Sequence, residues 1–187
     1  INRRALQFKH PKMKEIVHTD FSDFSEIKGE LVGYNSAFLC MGTTSFLVPE
    51  ETYAHITHDM TLALATPLSK INPDMTVCYV SGMGTDSSES GRNMWTRVKG
   101  WTENDLLKLP FRNAFMFRAG IIQPTPGLSK TKTFYKWINP FLPLFRMIFP
   151  KYISTLEEIG LAMIHVSQAD YDKQIIEVND IIDLATK

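Results

Sequence analysis

The chain has 187 residues, 44% of them hydrophobic and 21% charged, which suits a single domain with a full core. Its 20 basic and 20 acidic side chains cancel, so no broad field draws it to nucleic acid or to an anionic membrane. The most apolar stretch, WINPFLPLFRMIF (137–149), is shorter than the roughly 20 residues of a spanning helix and is broken by Pro140, Pro143 and Arg146, which argues against a transmembrane segment.

In chain order, EIVHTDF (15–21) reads as a short strand, followed by a helical SDFSEIKGEL with Ser22 as its cap. SAFLCMG (36–42) is a continuous apolar run ending in glycine, as expected of a strand buried on both faces. A long helix is predicted over 49–71, with Pro49 and the acids after it as start signals and Ile56, Met60, Leu62 and Leu64 as its core face. MTVCYVSG (75–82) reads as a third strand, GRNMWTRVKGWTENDLLKL (91–109) as a helix stopped by Pro110, and NAFMFRAG (113–120) as a fourth strand. Beyond a Pro-rich segment, STLEEIGLAMIHV reads as a helix, QIIEV as a short strand and NDIIDLAT as a last helix capped by Asn179.

Strands and helices in alternation, with strands of the buried parallel type, predict an α/β doubly wound sheet with helices on both faces. Right-handed crossovers would then gather Gly42, Ser81-Gly82 and Arg118-Ala119-Gly120 at the C-terminal strand ends, where ligands bind in such sheets. The two cysteines, Cys40 and Cys78, lie in apolar strand-like runs and read as buried reduced thiols of a cytoplasmic protein. The basic opening INRRALQFKHPK, broken by a proline, is not a signal peptide. His55 and His58 stand near Asp59, but zinc sites need three or four protein ligands, so the pair reads as a polar helix face and no metal is expected.

With these residues in view, the chain resembles the short-chain dehydrogenase/reductase superfamily, in its atypical or extended, NAD-dependent epimerase/dehydratase-like branch. The resemblance rests on INRR, HTDFSD, FLCMGTT, YVSGMGTDSS, MWTRVKGWTEN, FMFRAGIIQP and IIEVNDIIDLA, in the family's order. It implies a Rossmann-like NAD(P)-binding domain over 1–187. Residues 1–120 would be the cofactor core and 121–187 a substrate-covering region with the last strand and helix. It also implies a glycine-rich βα unit before Ile1, whose strand would lie at the centre of the sheet.

Arg3 and Arg4 fall where the family reads the adenosine ribose; two arginines and no acid favour NADP(H) over NAD(H), unless both are simply solvated charges. Asp20 and Phe21 match the adenine contact, although Asp20 suits a turn cap equally well. Gly42 and Thr43 match a turn beside the cofactor, as do Ala119 and Gly120. Ser87, Arg118 and Ile122 fall toward the substrate.

Family chemistry passes a hydride between nicotinamide and a substrate carbon while a tyrosine moves the proton, a lysine four residues on holds the ribose, and an upstream serine holds the substrate oxygen. Here Lys99 follows Trp95 by four and Ser81 ends a strand, so Ser81, Trp95 and Lys99 occupy the catalytic slots. An indole N–H donates but does not titrate, so the usual acid is lost. Thr85, Asp86 and Tyr79 are nearby replacements that spacing does not separate. The aromatic, Pro-rich residues 134–149 suit a substrate wall, a homodimer or protein-partner contact, a membrane-surface dock or a plain core element. The chain therefore reads as an NADP(H)-dependent oxidoreductase or epimerase-like protein acting on a small molecule, or as a silent dinucleotide-binding scaffold.

Overall fold

Three apolar runs that predict buried strands become neighbours in one sheet of a computed structural model, which describes residues 1–6, 8–123 and 152–187. The strands are β1 (Ser36–Leu39), β2 (Thr76–Val80), β3 (Asn113–Arg118), β4 (Ile121–Gln123), β5 (Ile153–Thr155) and β6 (Ile175–Glu177). β1, β2, β3 and β6 form a parallel sheet in that order, in register Leu39–Tyr79, Tyr79–Met116 and Met116–Ile175. β4 and β5 pair separately, also in parallel.

The side-chain period of two sends alternate residues to opposite faces. Val77, Tyr79, Ala114 and Met116 pack with Leu39, Ala65 and Leu106. Cys78, Phe115, Phe117 and Ile176 pack on the other face. That second face is covered by α4 (Leu156–Gln168) through Ala162, Met163 and Val166, and by α5 (Val178–Ala185) through Ile181 and Leu184. The first is covered by α2 (Met60–Ile71) and α3 (Met94–Lys108). Each fully buried Phe contributes about 1.5–3 kcal/mol by leaving water. The fold is thus a Rossmann-like α/β sheet with helices on both faces.

Several local expectations are corrected. The helix over 49–71 forms as α1 (Glu50–Ala54), a π-helical turn (His55–Asp59) and α2. The wide turn shifts the inward face. Tyr53, Thr57, His58, Thr61, Ala65 and Leu68 are buried, while Ile56, Met60, Leu62 and Leu64 flank them half-buried. His58 is therefore no part of a polar surface. Ser22 caps no helix; its N–H closes a turn on Asp20, and a 3-10 helix starts at Ser25, whose N–H meets Asp23 Oδ1 at 2.8 Å. α5 begins two residues earlier than Asn179 predicts, because Glu177 and Asp180 form a reciprocal capping box. Cys78 is buried, but Cys40 lies just past β1 and is exposed.

The strand expected over 15–21 contracts to a single parallel bridge between Asn2 and Val17. Asn2 N–H donates to Ile16 O at 3.0 Å and accepts at its carbonyl from His18 N–H at 2.9 Å. Among the described residues, β1 is paired only with β2. A cavity of about 530 Å³ lies between Ile1–Arg3 and β1, with Phe21, Cys40 and Met41 on its walls.

Gly100 shows how tightly α3 seats on the loop before it: a Cβ there would lie 1.8 Å from the Asp86 carbonyl oxygen. Gly160 of α4 has open space on that side. Gly100→Ala is expected to cost about 3 kcal/mol or more, while Gly160→Ala gains about 0.5–1 kcal/mol, both read from urea unfolding.

Candidate functional site at the strand ends

Past Val80, the chain makes a close, hydrogen-bonded turn. Ser81 is buried; its N–H donates to Phe117 O at 2.8 Å and its hydroxyl meets Thr85 Oγ1 at 3.0 Å. Thr85 Oγ1 also lies 2.7 Å from Gly82 O. Gly84 takes φ +86°, a left-handed conformation that glycine adopts without strain. Asp86 gathers the following loop by accepting from the N–H groups of Ser88, Ser90 and Gly91 and from Ser88 Oγ–H. The Ser88 hydroxyl and the Gly91 amide, in that order, hold its carboxyl below the usual carboxylate range.

α3 starts beyond this loop and carries Trp95, Lys99 and Glu103 four residues apart on one face. The Trp95 ring covers the turn: a Cβ on Gly82 would stand 3.2 Å from its Cζ3, and one on Gly84 3.9 Å from its Cη2. The same Gly82 position faces the Lys99 stem, at 3.7 Å from Cδ. Lys99 Nζ donates to Val80 O at 3.2 Å and to the Tyr79 hydroxyl at 3.5 Å, and lies 5.1 Å from the Tyr79 ring centroid. Both hydrogen-bond acceptors are neutral. Burial lowers the Lys99 pKa to about 8, with the Glu103 charge opposing the shift. Tyr79 is fully buried and its phenol is pushed well above its ordinary value by desolvation.

Glu103, with no exposed surface, is held by Arg118. Arg118 Nε donates to its two oxygens at 3.1 and 3.2 Å and Nη2 donates at 2.6 Å. Nη2 also reaches Ser87 Oγ at 2.5 Å, and Nη1 lies 3.6 Å from Glu177. Burial works against the Arg118 charge, but Glu103 outweighs it and the pKa is raised. Arg118 and Ser87 are thus brought together, but with the guanidinium committed to two carboxylates. Ile122 packs, partly buried, on the core beneath α4 and α5. Ala119 is buried, its carbonyl accepting from Met83 N–H at 2.8 Å. Gly120 is required by packing, since a Cβ would meet Tyr152 O at 2.2 Å.

Of the residues expected near the adenosine, Arg3 and Phe21 come together at the cavity. Arg3 lies over Phe21, 5.0 Å from guanidinium carbon to ring centroid, with Nη2 3.2 Å from Met60 Sδ. No carboxylate pairs with it among the described residues. Arg4 is exposed and off the cavity, and Asp20 serves its turn. Gly42 is exposed with Thr43 half-buried beside it, and neither lines the cavity. Residues 134–149 lie outside the described residues.

Sequence reasoning missed the partners of His58. Its Nδ1 meets Asp59 at 2.8 Å, its Nε2 meets Asp105 at 3.0 Å, and its ring stacks on Trp101 with centroids 3.5 Å apart. No local signal in the sequence announces the π-helical turn within which His58 is buried. Among the described residues no group of three or more His, Cys, Asp or Glu side chains is placed to hold a metal, and no helix is long and apolar enough to cross a membrane.

The fold and the strand-end site define a Rossmann-like α/β protein. No family model matches the sequence, and no curated protein does. Among solved structures it is similar to the crystal structure of the ADP-L-glycero-D-manno-heptose-6-epimerase of Helicobacter pylori, with a TM-score of 0.59 and 14% identity over 89% of this chain and 62% of that one. The chain spans less than two thirds of that enzyme's length, and the likeness is one of fold.

Lys99 gives a pH-dependent stability with a definite sign. Its folded pKa of about 8 is below the roughly 10.4 of an unfolded lysine, so between these values the unfolded chain binds more protons and stability rises with pH. Below about 8 the burden is constant. Lys99→Met should therefore melt higher than the parent at pH 7, with the advantage shrinking as the pH approaches 10.

Proposed function

We propose that the chain binds a nicotinamide dinucleotide, NADP(H) in preference to NAD(H), in an oxidoreductase or epimerase-like protein acting on a small molecule. The observation that carries this reading is the placement of Lys99 on α3, one turn after Trp95, with its amine against the end of β2 beside Ser81 and Gly82. The fold shared with an epimerase supports it.

The residues present suit the adenosine end of such a molecule. Phe21 offers a ring face, and Arg3 a guanidinium without a carboxylate partner among the described residues, able to meet a 2′-phosphate. No glycine lines the cavity among the described residues, so no contact to the pyrophosphate is assigned. Lys99 would hold the nicotinamide ribose as a cationic donor. When bound, the dinucleotide supplies or removes a hydride at a substrate carbon. Ser81 and Thr85, sharing one hydrogen bond, would orient the substrate oxygen. Both β1 and Ile1–Arg3 border the cavity, and a further strand seated between them would join the Asn2–Val17 pairing to the four-stranded sheet.

Titration with NADPH, followed by quenching of tryptophan emission with NADH as control, tests the reading. Tighter binding of NADPH is expected, and Arg3→Ser should weaken it about tenfold or more while leaving NADH unchanged, since a phosphate contact is worth about 1.5–3 kcal/mol. Equal weakness toward both nucleotides in the parent protein would refute it.

The second reading, a catalytically silent dinucleotide-binding scaffold, is favoured by Trp95, whose ring occupies the turn where a titrating hydroxyl is needed. Residues 134–149 would then supply the partner surface. Trp95→Tyr separates the two: NADPH oxidation over a panel of carbonyl compounds should rise about 10²-fold or more if the acid alone is missing.

A further inference from the structure

We infer that the cavity beside β1 is a strand-acceptor slot: it takes an extended peptide segment that runs parallel to β1 and bonds through its backbone to both walls. The inference goes beyond the dinucleotide reading and does not rest on it.

Backbone alternation fixes what the two walls present. Thr76 N–H donates to Asn35 O at 2.8 Å, and Ser36 stands level with Thr76. In a parallel ladder the N–H and C=O of one residue point to the same side, and those of its neighbours to the other. Asn35, Ala37 and Leu39 are therefore spent on β2, while Ser36 and Phe38 present their N–H and C=O groups to the free edge. The far wall obeys the same rule. Asn2 is spent on Ile16 and His18, so Ile1 and Arg3 present their groups away from that bridge. None of these outward groups has a backbone partner among the described residues. Both free edges border the same cavity of about 530 Å³.

The lining decides the occupant. Ile16, Leu31, Leu64 and Leu68 give the cavity an apolar wall. An apolar small molecule would cover that wall but leave two ranks of donors and acceptors unpaired and out of water. A strand does both at once. Ala37 and Leu39 pack toward α2. Peptide residues level with these two share their face, lie against Leu64 and Leu68, and turn their backbone to β1. The residues between them lie on the side of Phe38, which is 43% exposed, and turn their backbone to Ile1 and Arg3. The partner is thus a segment of alternating apolar and polar residues without proline, recognised through its main chain.

A peptide of alternating valine and threonine, flanked by lysines and labelled with fluorescein, tests this by anisotropy against the 187-residue chain. Saturable one-to-one binding is expected. N-methylation of the valines removes the donors to β1, and N-methylation of the threonines removes those to Ile1 and Arg3. Either change should weaken binding about tenfold or more. Phe38→Pro removes one donor of the slot and spares the bonds to β2, so it should weaken the unmethylated peptide about fivefold. If that variant does not fold, the methylated peptides decide the matter on the parent protein. Binding that survives one of the two methylations is pairing on a single edge and overturns the slot. Binding that survives both is apolar capture and overturns it as well, as does no binding at all. Self-association in sedimentation that blocks the peptide assigns the cavity to a second copy and overturns the peptide as occupant.

Discussion

The strand-end site depends on one buried ion pair, Glu103 with Arg118. It fastens the middle of α3 to the last residue of β3 through three hydrogen bonds, with Glu103 fully out of water. Removing one partner of such a pair leaves an uncompensated charge and costs about 3–5 kcal/mol. The pair also consumes the carboxylate that would otherwise neutralise Lys99. A structural bond thereby sets the electrostatics of a residue one helical turn away.

A second fastening acts from the other side. His58 bridges Asp59 of its own turn to Asp105 of α3 and stacks on Trp101, so both imidazole nitrogens face carboxylates. The π-helical turn brings this ring inward, where a regular helix would leave it toward the edge. Between the His58 contacts near its end, the Glu103 bond at its middle and the Asp86 loop pressed on Gly100, α3 is restrained along most of its length. Trp95 and Lys99 are presented by that restrained helix.

The central sheet was legible because its strands are buried on both faces and read as unbroken apolar runs. β1, β2 and β3 fall within 36–42, 75–82 and 113–120. The sharing of one helix face by Trp95 and Lys99 was legible too, because four-residue spacing on a helix is a local property. What escaped depended on partners far along the chain. Arg118 reads as an open cation until Glu103, 15 residues earlier, is folded beneath it, and His58 meets Asp105 across 47 residues. Caps failed for a different reason: Asn179 stands beside the reciprocal Glu177–Asp180 pair that caps α5, while Ser22 is bound into the Asp20 turn and the 3-10 helix begins only at Ser25. Cys40 was misplaced because an apolar run does not show where its pairing stops.

The gap beside β1 carries a consequence for handling the protein. Phe38 is 43% exposed on that strand, whose outer edge has no partner among the described residues. An open, apolar strand edge is a template for any extended chain of matching register. Any chain that lies along it in the parallel direction of β2 would extend the sheet by one strand.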